Sequence, residues 1–261
     1  MIVNEQDLLR AMQGANDGET NDRDLFWNIV SYQEWLVPLN NDAPELNSAF
    51  DLAATRLLKN PEGEHRLALF SSVETYDNFA AGRKLKLEAT TGCEIFIHDL
   101  PEILEVILDP GCNHECSLES EVFPYVKELA EGIRVERLWQ ALAQGYQLSP
   151  DELNALAQHP GYHLIGLQSD QGMKSIQVPH DDGRYFFPVF TYPHARQLGL
   201  EHFQKSESPD LLKTVKLAGN ALFPALANET MDGIVLNFRG PGDPIGLTTE
   251  IISLMLNVLK Q

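Results

Sequence analysis

The chain is poor in basic side chains and in cysteine, and it has no long hydrophobic run. Nineteen Lys and Arg stand against thirty-eight Asp and Glu among 261 residues, so the formal net charge is -19 at pH 7. This charge repels nucleic acid and anionic membranes, and we therefore expect neither as a partner. No apolar run approaches the roughly 20 residues that span a bilayer. Three cysteines, an odd number, argue against a disulfide framework.

The first residues also lack the pattern of a secretory signal. Met1–Arg10 has no basic segment followed by a continuous apolar core, and acidic side chains appear at once. Together with the odd number of cysteines, this predicts a cytoplasmic protein.

Familiar catalytic patterns are missing as well. The sequence contains no GxGxxG or Walker-type glycine-rich loop and no GxSxG nucleophile motif. No serine or cysteine lies in a recognisable nucleophile context. The sequence therefore predicts no catalytic residues, no cofactor and no enzymatic activity.

The most informative feature that is present is an internal similarity between the two halves of the chain. Four short stretches of the first half have counterparts in the second, at separations of 120 to 128 residues. A repeat of this length indicates two copies of one domain, because solenoid periods are far shorter. The paired stretches are Leu67–Glu74 and Phe187–His194, Gly92–Phe96 and Gly219–Phe223, Val106–Gly111 and Ile234–Asn237, and Asn21–Leu25 and Ser149–Leu153.

Each predicted unit has the same order of elements. A helix opens the unit, and two strands, a helix, a glycine-led segment, a strand and a last helix follow. The helix after the second strand begins at Ser71 in one unit and at Thr191 in the other, because a hydroxyl can cap a helix start. Short strands alternating with helices predict two tandem α+β units.

The predicted domain boundaries follow from this order. Residues 1–20 form an N-terminal arm or a docking helix without a counterpart in the second unit. Residues 21–145 form the first unit and a linker helix, and residues 146–261 form the second unit. The last helix of the first unit is predicted over Ser117–Glu131, and the linker helix over Val135–Gln144.

Several of these phrases resemble the N-terminal domain of the SseB family, bacterial proteins named for enhanced serine sensitivity. The resemblance covers most of residues 21–130 and 149–260. In the usual family pattern a different C-terminal domain follows, whereas here a second N-terminal-type unit takes its place. The phrases that carry the resemblance are Leu25–Trp27, Trp35–Pro38, Leu69–Ser71, Gly92 with Phe96, Val106–Gly111, Phe187–Thr191 and Gly233–Asn237.

The resemblance implies a bacterial, cytoplasmic, non-enzymatic accessory protein, and it implies no catalytic residues. Candidate binding positions therefore come from the residues themselves. Asp109 and Asn237 occupy the turn after the last strand of each unit, and Arg239 lies in the glycine- and proline-rich turn Arg239–Pro244. An arginine on a rigid turn can bind a carboxylate or a phosphate, and the alternative is an ordinary turn.

A second candidate is the cluster Cys112, His114 and Cys116. Two thiolates and an imidazole within five residues could hold a soft metal, with Cys93 or His98 completing the ligand set. However, the spacing matches no common zinc motif, and the equivalent turn of the second unit has no such ligands. We therefore predict no metal, and keep the cluster as a weak candidate.

Charge is distributed unevenly along the chain. Residues 1–130 contain 24 acidic and 9 basic side chains, and residues 131–261 contain 14 and 10. Either the charge serves solubility or it forms an acidic face that docks a basic protein partner. The sequence favours an accessory protein that acts by protein–protein contact. The alternative is a small-molecule-binding or enzymatic protein with a site in the cleft between the units.

Overall fold

The chain divides into two compact units, one of residues 2–130 and one made essentially of residues 131–261. We call them the N-terminal unit and the C-terminal unit and describe each by itself. Within the described part of the chain, no helix is both long and apolar enough to cross a membrane. The computed structural model describes residues 3–40, 50–170, 172–179, 183–229 and 231–260.

Polar caps define the helix starts of the N-terminal unit. A side-chain oxygen accepts a hydrogen bond from a first-turn N–H in each of the four helices capped by Asn4, Asn21, Ser72 and Thr91. The elements are α1 (Glu5–Asn16), α2 (Asp22–Ser31), β1 (Trp35–Pro38), β2 (Leu58–Lys59), β3 (His65–Leu69), α3 (Val73–Ala80), β4 (Leu87–Thr90), α4 (Gly92–Phe96), β5 (Ile103–Leu108), β6 (Cys116–Glu119) and a 3-10 helix (Ser120–Val122).

The centre of this unit is the parallel pair β3 and β5, flanked by antiparallel β2 and β6. Antiparallel β1 and β4 form a second, two-stranded sheet. Leu36 of β1 bridges Phe70, just beyond β3, and the two backbones exchange hydrogen bonds of 2.8 and 3.0 Å. The spatial order is thus β4-β1-β3-β5-β6. Helix α1, predicted as an arm or docking helix, packs against α2 and buries Leu8 and Met12.

The C-terminal unit begins within a long helix that contains the boundary between the units. Its second helix starts at a capping box in which Ser149 and Glu152 each accept from the other's backbone N–H. The elements are α5 (Phe123–Ala143), α6 (Pro150–Gln158), β7 (Tyr162–Ser169), β8 (Gly172–Ser175), β9 (Val178–Pro179), β10 (Tyr185–Phe190), α7 (Pro193–Phe203), a 3-10 helix (Pro209–Leu211), β11 (Leu212–Leu217), α8 (Gly219–Leu226), β12 (Gly233–Leu236), β13 (Ile245–Thr248) and α9 (Thr249–Val258).

A single sheet of order β11-β7-β10-β12-β13 organises this unit, with β8 and β9 paired at its margin. Strands β10 and β12 are parallel, and their neighbours β7 and β13 are antiparallel to them. One face of the sheet, including Phe187, Val189 and Leu236, packs into a hydrophobic core around Trp139 and Phe223.

The predicted α+β class is confirmed. Two predicted helices differ from the structure: Ser117 lies in β6, and the segments Ser117–Glu131 and Val135–Gln144 give way to one helix, α5. Gly132 does not interrupt α5 and has a packing role, because a Cβ there would lie 2.1 Å from the Thr191 carbonyl oxygen. Along the chain, the boundary between the compact units lies between residues 130 and 131, whereas the sequence predicts it after residue 145.

Candidate functional site at the strand ends

In the N-terminal unit, the predicted site residue Asp109 follows the carboxyl end of β5. Its backbone N–H donates to the Leu69 carbonyl at 2.8 Å, which extends the parallel ladder by one residue. Its φ of 47° then turns the chain away. Asp and Asn tolerate this left-handed conformation better than most residues, because a short polar side chain can bond locally. The carboxyl ends of parallel strands are also where open α/β sheets usually bind ligands.

The Asp109 carboxylate is fully buried and already has partners. It accepts from the Ser71 N–H at 2.7 Å and from the Ser71 hydroxyl at 2.6 Å. The His114 Nε2 lies 3.1 Å from its second oxygen. In a hydrolytic triad the histidine lies between serine and carboxylate, whereas here the carboxylate lies between serine and histidine. Because Ser71 is also buried, this arrangement does not present an activated nucleophile.

In the C-terminal unit, Asn237 has the same backbone position after β12. Its N–H donates to the Val189 carbonyl at 2.8 Å, and its φ is 51°. Its Oδ1 accepts from the Thr191 N–H at 2.9 Å. Its Nδ2 donates to Glu136 Oε1 at 2.9 Å, and the Tyr192 hydroxyl donates to Glu136 Oε2 at 3.3 Å. The amide and the carboxylate therefore form one buried polar network.

Glu136 is a member of this site that the sequence analysis missed. Burial raises the pKa of its carboxyl group above the ordinary value, although the bonds from Asn237 and Tyr192 oppose that shift. A sequence signal existed, because Glu136 follows Leu129 by seven residues and precedes Trp139 by three. It therefore falls on the apolar face of α5, where a charged side chain is unexpected.

The third predicted residue, Arg239, does not join this network. Its side chain is exposed, its φ is 64°, and its guanidinium carbon lies 5.1 Å from the centre of the Phe238 ring. Asp109 and Asn237 are thus buried hydrogen-bonding positions in their own units, and Arg239 is a surface cation stacked on an aromatic ring. A binding role for the three residues stays a prediction.

The cysteine cluster lies in the turn between β5 and β6. Burial raises the pKa of the Cys112 thiol, and the negative charges of Asp109, Glu115 and Glu74 raise it further. Burial also raises the pKa of Cys116. Protonated thiols are poor metal ligands and poor nucleophiles. Among the described residues, no three His, Cys, Asp or Glu side chains are arranged to hold a metal ion, so the turn does not assemble Cys112, His114 and Cys116 into a ligand set.

These features define a class: an α+β domain whose strand ends are closed by buried polar side chains. Residues 8–122 match the family model of the SseB protein N-terminal domain. The resemblance to the SseB N-terminal domain that the sequence predicts is therefore confirmed over these residues. The match ends near the start of α5, close to the boundary of the N-terminal unit.

Other comparisons add little. No curated protein matches the sequence. A solved structure described as Anabaena Tic22 (protein transport) is 12% identical, with 81% of this chain and 88% of that chain covered and a TM-score of 0.23.

Proposed function

We propose that this protein is a non-catalytic accessory protein of the cytoplasm that binds a protein partner with a basic surface. The contact would be the acidic surface of the N-terminal unit. The observation that carries the proposal is a group of exposed carboxylates beside the β5–β6 turn, Asp22, Glu74 and Glu115, which we call the acidic rim.

The proximity of the acidic rim to this turn is visible in its effect on the two thiols. Burial is the largest cause of the raised pKa of both thiols. The charges of Asp109, Glu115 and Glu74 raise the pKa of Cys112 further, and the charge of Asp22 raises that of Cys116. Because each carboxylate disfavours a neighbouring thiolate, the turn lies in a field of negative potential. That field matches the composition, since 24 acidic side chains face 9 basic ones in residues 1–130.

An apolar side chain lies beside this charge. Val73 begins α3 between Ser72 and Glu74 and is 58% exposed. Protein interfaces commonly combine an apolar contact with a surrounding polar and charged rim. Exposed charges of this kind add little to the affinity, because they are screened by salt and only partly desolvated. Their main effect is to speed association and to select the partner.

The test is affinity capture of the tagged full chain from its own host, with cross-linking and quantification of the captured proteins by mass spectrometry. The informative variant combines Asp22→Asn, Glu74→Gln and Glu115→Gln. Gln can still accept the bond that Glu115 Oε2 receives from the Gly111 N–H at 2.6 Å. We expect the triple variant to recover about tenfold less of the partner than the wild type, or less still. Recovery by the wild type should also fall as salt rises, because the Debye length then shrinks from about 10 Å to about 3 Å.

The matched control removes the same number of charges elsewhere in the unit, through Glu62→Gln, Glu102→Gln and Glu121→Gln, all at exposed positions. It should retain the partner. Equal losses in the two triple variants would reduce the effect to net charge and contradict a defined docking surface. A partner whose recovery is insensitive to both salt and the acidic rim would contradict the proposal altogether.

A further inference from the structure

The C-terminal unit has an open pocket of about 360 Å³ on the face of its sheet at β9, β10, β12 and β13. This volume lies at the lower end of the range typical of small-molecule sites. Gly246, which pairs with Val235, contributes to the depression, because this lining position has no side chain. The lining includes Arg184, Phe186, Val235, Phe238, Gly246 and Thr248.

In the N-terminal unit, charged side chains occupy one end of the corresponding face. There, Arg66 of β3 lies beside Glu105 of β5, with 2.9 Å between Arg66 Nε and Glu105 Oε2, and Glu119 of β6 is opposite Glu105. Arg66, Glu105 and Glu119 thus stand where Phe186, Gly233 and Thr248 stand in the C-terminal unit, whereas the counterpart of Val235 is the apolar Ile107. This end of the face is therefore charged in the N-terminal unit and has no charged side chain at the same three positions of the C-terminal unit.

Cations border this apolar floor. The guanidinium carbon of Arg184 lies 5.3 Å from the ring centre of Phe186, and that of Arg239 lies 5.1 Å from the ring centre of Phe238. His202 packs edge-on against the same Phe238 ring, and its pKa is lowered by burial and then by the charges of Arg239 and Lys205. Arg184 is itself a lining residue of the pocket, and Arg239 stacks on the ring of the lining residue Phe238.

We propose that this pocket binds a small organic anion: an apolar body on Phe186, Val235 and Gly246, and a carboxylate near Arg184 and Arg239. A guanidinium suits a carboxylate because its planar N–H groups can pair with both oxygens. Asp243, exposed in the turn before Pro244, opposes an anion electrostatically and limits the affinity.

The probe is 4-phenylbutyrate, titrated into the full chain by calorimetry and by ligand-observed NMR, with 4-phenylbutyramide and 4-phenylbutylamine as the uncharged and cationic counterparts. We expect saturable binding in the order carboxylate, amide, amine. Arg184→Gln and Arg239→Gln should each weaken carboxylate binding about tenfold while leaving the weaker amide binding unchanged. Asp243→Asn should strengthen carboxylate binding.

A second variant fills the pocket without disturbing the fold. A Cβ added at Gly246 meets nothing within 4 Å and its backbone needs no special conformation, so Gly246→Leu should occupy the depression and abolish binding. Thr214→Leu, at an exposed position of β11 away from the lining residues, is the matched control and should bind normally. Absence of saturable binding, equal binding of carboxylate and amine, or unchanged binding in Gly246→Leu would each overturn the proposal.

Discussion

The ends of β5 and β12 have nearly the same backbone and different chemistry. Asp109 and Asn237 both have positive φ, and both accept an N–H from just beyond the neighbouring parallel strand, that of Ser71 or Thr191. In the N-terminal unit the buried residue is itself the carboxylate, with the His114 ring 3.1 Å away. In the C-terminal unit it is a neutral amide, and the buried carboxylate is Glu136 of α5.

This difference separates what the backbone requires from what the charge supplies. The turn requires a short side chain that tolerates the left-handed region and accepts one N–H. Both Asp and Asn satisfy that requirement. The partners of the side chain differ between the units. The Nδ2 of an amide needs an acceptor, and a carboxylate of α5 provides it in the C-terminal unit. A carboxylate needs donors, and a neighbouring hydroxyl provides one in the N-terminal unit.

A second correspondence concerns glycines. A Cβ at Gly92 would lie 2.2 Å from the Ile29 carbonyl oxygen, and a Cβ at Gly219 would lie 2.3 Å from that of Ala157. In each unit the glycine lets a short helix, α4 or α8, approach closely the helix that precedes the first strand of the unit, α2 or α6. The spacing of 127 residues also relates Met12 of α1 to Trp139 of α5, which supports α1 and the second half of α5 as equivalent first helices. That the units are copies of one domain stays a prediction.

Asn237→Asp gives the C-terminal strand end the residue of the N-terminal one, and we expect it to have the largest effect on the free energy of unfolding. It places a second buried carboxylate about 3 Å from Glu136, where two like charges cannot both stay ionised. We expect the free energy of unfolding to fall by about 3–5 kcal/mol at neutral pH. Part of the loss should be recovered on acidification, when the pair holds a proton. The measurement is urea denaturation at both pH values, with hydrogen exchange of the β12 amides to localise the loss.

The control for this substitution is the double variant Asn237→Asp with Glu136→Gln. It exchanges carboxylate and amide between the two positions, so the pair again contains one donor and one charge. Most of the lost stability should return. If the double variant is as unstable as the single one, the loss does not come from charge repulsion.

The reciprocal substitution, Asp109→Asn, should have a smaller effect. The Asn side chain suits a φ of 47° and can still accept the Ser71 N–H, but its amide nitrogen faces the Ser71 hydroxyl and the His114 ring. Both groups can reorient, because a hydroxyl rotates and a neutral imidazole has a second tautomer. We expect a loss of about 1–2 kcal/mol in the free energy of unfolding, measured as above with hydrogen exchange of β5.

Asp51→Asn is the matched control for this experiment. Asp51 is exposed, and its carboxylate also accepts a backbone N–H, that of Ala53 at 2.9 Å. A change within about 0.5 kcal/mol is expected there. If Asp109→Asn is as costly as Asn237→Asp, the two strand ends do not differ in the way the hydrogen bonds indicate.

The strand-end sites also show how far sequence reasoning reached. The strands before them and the helices after them were predicted, because short apolar runs followed by hydroxyl residues are local signals. The caps themselves are displaced by one residue: the N-cap of α3 is Ser72 and that of α7 is Tyr192, rather than Ser71 and Thr191. The physical reason is distant in sequence, since the Ser71 hydroxyl donates to Asp109, 38 residues later.

The same limit explains the missed members of the sites. Asp109 and Asn237 were predicted from their turn position, but their partners are contacts at long range, and Glu136 lies 101 residues from Asn237. The merger of two predicted helices into α5 has a similar cause. A glycine inside a helix weakens it locally, and only the approach of Thr191 explains why Gly132 is there.

The smallest expected effect is a pH dependence of the free energy of unfolding that comes from Glu136 of the C-terminal unit. It sharpens the comparison most, because it tests the buried charge itself. Burial raises the pKa of Glu136 in the folded protein, so the folded state keeps a proton that the unfolded chain has already lost. The stability contributed by the protonated form is present at low pH and disappears as the pH rises through the folded pKa. Glu136→Gln has no such titration, so its stability relative to the wild type should increase between about pH 5 and about pH 8.

Urea denaturation of both proteins across this range measures the effect, and Glu229→Gln, an exposed acid of the same unit, is the control. The Gln side chain can accept from Asn237 and donate to the Tyr192 hydroxyl, so the network has a partner for each polar atom. A pH-independent difference between Glu136→Gln and the wild type would mean that Glu136 titrates alike in the folded and unfolded states. The hydrogen bonds to Glu136 would then offset the whole cost of burying its charge. The two strand ends would differ in the arrangement of their side chains and not in the energetics of the buried charge.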